Sequence, residues 1–298
     1  MSVKIKIEEG IYSHFCYSAP NAMKYLLIEL PHGATKSKDF LYYQERLQGE
    51  YPENLIDFFH VNTDVGSPEL AFALAKKLQR EDEEYEVHVM QSHIPRTFID
   101  CNRVVGEDIS YQAGGVTPAT PAYVQSEQDL QLLYQAYHRY QDYTKRLYAE
   151  ICGAKRGLGL MLHTYAPRTV PIQAIDWDIV HQLHDFYDTD KIKDCTLRPQ
   201  IDVIHKTPAA EALAALEWHQ KVAEEFRNIG LEVANGDSYP LHPVTMAYHY
   251  AKQYPAQTLC MEIRRDLVVT SWEPFVEMEI SQEKVEKIGA CLARSLVL

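Results

Sequence analysis

The stretch Tyr25-Leu26-Leu27-Ile28-Glu29-Leu30-Pro31-His32-Gly33 indicates the fold class of this chain. Its first six residues form a compact apolar run of the length of a buried strand, and the Pro-His-Gly that follows is typical of a loop. A second apolar run, residues 158–163, also ends in a histidine, and a third covers residues 258–263. We therefore predict three buried strands, two of which carry a histidine at the carboxyl end.

Helices are predicted between these strands. Residues 67–78 carry apolar side chains at helical spacing, with a proline in the first turn, and residues 126–151 form a longer candidate helix. Thr207 is predicted to cap a further helix that Gly230 closes, and residues 281–296 form the last one.

The alternation of strands with helices, including a short strand over residues 85–90, predicts an α/β fold. In such a fold a mostly parallel or mixed sheet is covered by helices on both faces. A chain of 298 residues can bury one large core, and we find no repeat or linker within it. We expect a single domain over residues 1–298.

Composition excludes several classes of function. The formal charge of −13 argues against nucleic acid as a partner, because phosphate binding needs clustered Lys and Arg. The sequence contains no run of eighteen apolar residues, so we expect no membrane span. The first residues lack the apolar stretch of a signal peptide. We expect a cytoplasmic protein. Its six cysteines form no C-x-x-C pair, so buried free thiols are expected.

Three polar residues lie at or near the predicted carboxyl ends of strands, where ligands bind in open α/β sheets. They are His32, His163 and Glu262. Two imidazoles and a carboxylate are the ligands of many catalytic zinc sites, and a further carboxylate can act as a base. The alternative is that the histidines are hydrogen-bonded structural residues and that Glu262 forms a salt bridge with the nearby arginines.

The segment from Arg96 to Arg103 offers donors suited to a carboxylate. Arg96, Asn102 and Arg103 present planar groups with several N–H donors, and Asp100 could orient one of them. The alternative is a surface loop with an internal salt bridge.

Five motifs resemble those of the N-formylglutamate amidohydrolase family and follow one another in the same order. They are Leu30-Pro31-His32-Gly33, Asn62-Thr63-Asp64, Ile99-Asp100-Cys101-Asn102-Arg103, Leu162-His163-Thr164-Tyr165-Ala166-Pro167 and Met261-Glu262-Ile263-Arg264-Arg265-Asp266-Leu267. The first lacks a serine that the family has, and Arg264 replaces an asparagine. The family is similar in fold to the zinc carboxypeptidases, so the resemblance implies a zinc carboxypeptidase-like fold and a Zn²⁺ cofactor.

The resemblance also implies roles for individual residues. His32 and His163 would be zinc ligands. The carboxypeptidases take another ligand from a His-x-x-Glu motif, but that position here is Thr35, so we assign the carboxylate ligand to Asp64, with Glu69 as the reserve.

The remaining roles concern the substrate. Asn102 and Arg103, helped by Arg96 and Arg265, would bind its carboxylate, and Glu262 would be the general base. The expected reaction is hydrolysis of the amide bond of an N-acyl, N-formyl-like amino acid. The alternatives are a carboxypeptidase-like enzyme acting on small peptides and a non-catalytic binder of acidic ligands.

Overall fold

The computed structural model describes residues 2–105, 117–172 and 174–296. The strands of the sheet are β1 (Ser2–Glu8), β2 (Tyr12–Ser18), β3 (Lys24–Leu30), β4 (Tyr85–Ser92), β5 (Gly157–Tyr165), β6 (Ile201–Ile204), β7 (Val233–Ala234) and β8 (Thr258–Arg264). The helices are α1 (Ser37–Gln44), α2 (Leu55–Asn62), α3 (Ser67–Glu81), α4 (Glu127–Ile151), α5 (Ile179–Tyr187), α6 (Lys191–Asp194), α7 (Leu216–Asn228), α8 (Met246–Gln253) and α9 (Gln282–Leu296).

The strands form one mixed sheet in the order β1-β2-β4-β3-β5-β8-β6-β7. Its centre is parallel, because β3 pairs in parallel with both β4 and β5, and β5 pairs in parallel with β8. Antiparallel pairing occurs on both sides, between β1, β2 and β4 and between β6 and β8. The carboxyl ends of the four parallel strands therefore lie along one edge of the sheet.

Each face of the sheet has its own apolar core. On the first face, α1, α2, α4, α5 and α8 pack over alternate strand residues such as Leu27, Met161 and Cys260. On the second face, α3, α7 and α9 pack over the other set, including Leu26, Leu160 and Met261. The predicted α/β class, with a mixed sheet and helices on both faces, is confirmed.

The three apolar runs of the sequence are β3, β5 and β8, and the helices predicted at residues 67–78, 126–151 and 281–296 are α3, α4 and α9. The helix predicted from Thr207 is wrong in its start, since α7 begins at Leu216. The Thr207 hydroxyl accepts a hydrogen bond from the Glu211 N–H, and Ala210 has a φ of 64°. These features close a turn there instead of opening a helix.

The cysteines are all free thiols, but not all are buried as predicted. Cys16 and Cys195 are partly exposed. Among the described helices, none is both long and apolar enough to cross a membrane.

Candidate active site

The candidate site lies where the carboxyl ends of β3, β5 and β8 meet. His32 follows β3 by two residues, and His163 is the third residue from the carboxyl end of β5. Its register partner on β8 is Glu262. Because paired residues of neighbouring strands project from the same face, the His163 and Glu262 side chains lie side by side on the first face.

His32 and His163 converge on one carboxylate. Asp64, between α2 and α3, places its Oδ2 at 3.2 Å from His32 Nδ1 and 2.8 Å from His163 Nδ1. The three side chains are buried, and their ligand atoms all lie within 4.8 Å of one another. Glu69 is not part of this group, because its carboxylate is directed to Lys36 at 3.5 Å.

The other nitrogen of each imidazole is also in contact with a polar group. His32 Nε2 lies 2.7 Å from Asp100 Oδ1, and the Asn102 amide nitrogen lies 3.4 Å from His163 Nε2. Outer carboxylates and amides of this kind orient metal-binding histidines. The segment that carries Asp100 and Asn102 therefore contacts both histidines directly. The sequence predicted Asp100 as a partner of an arginine and missed its contact with His32.

The arrangement at His32 fits a bound cation. Carboxylates face both of its nitrogens, so a neutral ring donates its one N–H to one of them and turns a lone pair toward the other. A positive charge between Nδ1 and Asp64 relieves that opposition. Two imidazole nitrogens and a carboxylate oxygen are also a ligand set of divalent zinc-type metals.

Histidine and arginine neighbours set the pKa values of the two aspartates. Burial alone would raise the pKa of Asp64, but His32 and His163 more than offset this and lower it well below its usual range. The pKa of Asp100 is likewise lowered, against burial, by His32, Arg103 and Arg96. Both side chains are therefore carboxylates at neutral pH.

Glu262 has the opposite character. Burial raises its pKa to about 7, and Asp64 adds to this effect, while His163, Arg198 and Arg96 oppose it. Its Oε2 is buried and has no hydrogen-bond partner among the described residues. The alternative interpretation, a salt bridge to Arg264 or Arg265, is not supported, because Arg264 pairs with Asp266 and Arg265 donates to backbone carbonyls. Glu262 can therefore exchange a proton near neutral pH.

Three predicted substrate-binding arginines surround the aspartates. Arg96 contacts Asp100 Oδ2 at 3.1 Å, and Arg103 lies 3.7 Å from the same atom while donating from Nε to Thr117 O. Arg265 is buried and donates to the Val61 and Thr164 carbonyls, with its guanidinium 3.8 Å from Asp64 Oδ1.

These residues line a cavity of about 500 Å³. Of the predicted site residues, all but Asp64, which lies beneath the histidines, reach its wall: His32, Arg96, Asn102, Arg103, His163, Glu262 and Arg265. Sequence reasoning missed Arg168, Arg198 and Tyr239, which also line it. Arg168 follows the His163 motif directly and could have been noticed there, whereas nothing in the sequence marks the other two.

The fold and the site together define a class of α/β proteins. In this class a mixed sheet carries a buried His–Asp–His group, suited to hold a metal ion, at the carboxyl ends of its parallel strands. A sequence profile of N-formylglutamate amidohydrolase matches residues 26–269. The chain therefore belongs to the N-formylglutamate amidohydrolase family, a family of enzymes that hydrolyse amide bonds. No curated protein matches the sequence significantly.

Solved structures similar to this chain include an N-formylglutamate amidohydrolase from Ralstonia eutropha, with 17% identity, a TM-score of 0.49 and coverage of 94% of this chain and 97% of that one. A gene product of Agrobacterium tumefaciens has 15% identity, a TM-score of 0.50 and coverage of 93% and 90%. A metallo-carboxypeptidase from Burkholderia cenocepacia has 12% identity, a TM-score of 0.38 and coverage of 99% and 64%. The Agrobacterium tumefaciens protein shares the fold of this chain.

Proposed function

We propose that this protein is a zinc-dependent amidohydrolase that cleaves an N-acyl, N-formyl-like amino acid bearing a free carboxylate. The observation that carries the proposal is the convergence of His32, Asp64 and His163 beside Glu262, a carboxyl group with a pKa of about 7. His32, His163 and Glu262 line the same cavity as several arginines.

The ligands in this proposal are His32, Asp64 and His163. When bound, zinc polarises the scissile carbonyl and lowers the pKa of water to near neutrality. The protein supplies the orientation of the two imidazoles, through Asp100 on one side and Asn102 on the other.

Glu262 is the proposed general base and acid. It takes a proton from the attacking water and returns it to the leaving amine. Its buried Oε2, which has no hydrogen-bond partner in the part of the chain that the structure describes, supports this role, because an oxygen already held by a salt bridge would be a weaker base. A protein that only binds acidic ligands has no need for an uncompensated carboxyl group in its binding cavity, so Glu262 also argues against the non-catalytic alternative.

The substrate carboxylate is proposed to bind Arg103 and Asn102, with Arg96 and Arg265 adding positive charge. Fixing this end of the substrate orients the scissile amide, which is where proximity contributes to the rate. A cavity of about 500 Å³ is in the size range of small-molecule sites, which favours an N-acyl amino acid or a short peptide as substrate.

The test joins metal analysis to a hydrolysis screen. Zinc-loaded protein is assayed against N-formyl, N-acetyl and longer N-acyl amino acids, their carboxamide analogues and short peptides. We expect release of the acyl group from carboxylate-bearing substrates and little from the amides. Turnover of peptides alone would favour the carboxypeptidase-like alternative, and the absence of any turnover with zinc bound would reject the proposal.

The ligand assignment is tested separately. Asp64→Ala and His163→Ala are expected to lose zinc from this site, whereas Glu69→Ala, which removes the carboxylate at the third residue of α3, is expected to keep it. Elemental analysis with melting curves as a folding control measures this. Loss of the ion in Glu69→Ala alone would move the carboxylate ligand to Glu69.

A further inference from the structure

A second group of metal-binding residue types lies on β2 and β4. Cys16 is paired in register with His88, and His14 with Met90. Because side chains alternate along a strand, His14, Cys16, Glu86 and His88 all project from the first face of the sheet, toward α4. None of these residues lines the cavity of the candidate active site.

Three of these side chains direct a donor atom to one point. His88 Nε2 lies 3.1 Å from Glu86 Oε1 and 4.0 Å from Cys16 Sγ. The three donor atoms, from a thiol, an imidazole and a carboxylate, all lie within 4.8 Å of one another. Small side-chain rotations would bring all three to the distances of roughly 2.0–2.3 Å at which such donors bind zinc.

The remaining nitrogen of His88 is held in place. His88 Nδ1 lies 2.9 Å from His14 Nε2, and His14 Nδ1 lies 2.9 Å from the hydroxyl of Tyr143 on α4. Both imidazoles are buried and their rings are stacked, with centroids 5.1 Å apart. This chain fixes the orientation of His88 as an outer shell does for a metal-bound histidine.

The geometry does not match a nucleophilic cysteine. In a Cys–His–acid arrangement the acid holds one imidazole nitrogen and the thiol faces the other. Here Cys16 and Glu86 both face Nε2 of His88, and Nδ1 is already occupied by His14. Cys16 Sγ, Glu86 Oε1 and His88 Nε2 thus form a group of three donor atoms that face one another, which is the arrangement that a shared cation needs.

We propose that Cys16, Glu86 and His88 form a second metal site, which binds a divalent ion of the zinc type and joins β2 to β4. The thiolate and imidazole favour zinc or cobalt over magnesium or calcium, which prefer oxygen ligands. Cys16 is partly exposed, and the Glu86 side chain retains 23% of its exposure. Solvent therefore has access to the site, and a water can complete the coordination.

Cobalt provides a test that the first site cannot imitate, because His32, Asp64 and His163 offer no sulfur. A thiolate bound to Co²⁺ gives a near-ultraviolet charge-transfer band. Titration of the full chain with Co²⁺ is expected to give this band, saturating at one thiolate-bound ion per chain. The band is expected to disappear in Cys16→Ser and to persist in Cys195→Ser, a matched control at the other partly exposed cysteine.

Zinc content separates the two sites. We expect two ions per chain in the wild type, one in Cys16→Ser, one in His163→Ala and none in the double variant. Tyr143→Phe, which keeps the ring and removes only the hydroxyl, is expected to weaken zinc binding at the second site by roughly 10-fold, the lower range for loss of an outer-shell contact. Circular dichroism verifies the fold of each variant.

Each outcome bears on one proposal. No charge-transfer band in the wild type, a band that persists in Cys16→Ser, or a band lost in Cys195→Ser would overturn the second site. A wild type that binds one ion, lost in His163→Ala and kept in Cys16→Ser, would also overturn it while leaving the proposed function intact. A wild type that binds one ion, lost only in Cys16→Ser, would support the second site and overturn the proposed zinc site at His32, Asp64 and His163.

Discussion

At the residue scale, Glu262 provides the sharpest test of the chemistry. Glu262→Gln preserves size and hydrogen bonding but cannot take up a proton. We expect turnover of an N-acyl amino acid to fall by about 10²–10⁴-fold, the usual contribution of general acid–base catalysis. Metal content and melting temperature should stay near those of the wild type, since Glu262 is not an assigned ligand. Steady-state kinetics with elemental analysis measures both, and near wild-type turnover would exclude Glu262 as the base.

Arg103 tests the recognition of the substrate. Lysine keeps the positive charge but lacks the planar fork of arginine. We expect Arg103→Lys to weaken binding of carboxylate-bearing substrates by roughly 1.5–3 kcal/mol, the worth of a charged hydrogen bond. Carboxamide analogues should lose little. Arg264→Lys is the matched control, because Arg264 pairs with Asp266 outside the cavity. Equal losses for both classes of substrate would give Arg103 a structural role.

Whether a contact of the candidate site can be predicted from the sequence depends on how that contact is encoded. His32, His163 and Glu262 could be brought together because each lies at the same end of a buried parallel strand. The contact of Asp100 with His32 joins residues 68 positions apart through a loop, and no spacing rule encodes it. Arg198 was missed for the same reason, since only the folded chain brings it to the cavity.

At the scale of elements, β6 positions one wall of the cavity. Asp202 on β6 accepts hydrogen bonds from the backbone N–H groups of Gly236, Asp237 and Ser238. The loop that they begin carries Ser238 and Tyr239 to the cavity wall. A single buried carboxylate therefore connects the sheet to a loop that lines the cavity.

Asp202→Asn should loosen this loop, because the amide turns a donor toward one of the three N–H groups. We expect a loss of about 2 kcal/mol in unfolding free energy and a rise in KM that exceeds any change in kcat. Asp129→Asn is the control. Asp129 also accepts three hydrogen bonds, from Gln48, Gly49 and Tyr51, but it lies outside the cavity. Equal changes in KM in both variants would contradict a positioning role for Asp202.

The strands that the sequence predicts as apolar runs are those buried on both faces of the sheet. β3, β5 and β8 are near-continuous apolar runs, and such runs predict buried strands. β1 has no such run: Val3, Ile5 and Ile7 alternate with charged residues and remain exposed, as befits an edge strand. The turn at Thr207 was misread because a threonine before a proline is also a common start of a helix.

At the scale of the whole molecule, a buried acid couples stability to pH. Glu29 on β3 is fully buried, and burial raises its pKa to about 7, although hydrogen bonds from Tyr148 and Tyr140 oppose the shift. In the unfolded chain it titrates near 4.5. Between these values the folded state holds more protons, so stability falls as pH rises through this window and levels off above it.

Glu29→Gln removes this titration. The unfolding free energy of the variant relative to the wild type should rise by up to about 3 kcal/mol between pH 4.5 and pH 7.5, and stay constant above. Urea denaturation across this range measures the difference. A difference that does not change with pH would show that Glu29 ionises alike in the folded and unfolded chains.

The two apolar cores on opposite faces of the sheet have a consequence for engineering. The cavity and the proposed second site both belong to the first face, whereas α9 packs against α3 and α7 on the second through residues such as Val285, Ile288 and Leu292. Selection for thermal stability can therefore be directed at α9 without changing the residues that line the cavity of the candidate active site. Libraries restricted to this helix should yield variants with a higher melting temperature and the turnover of the parent.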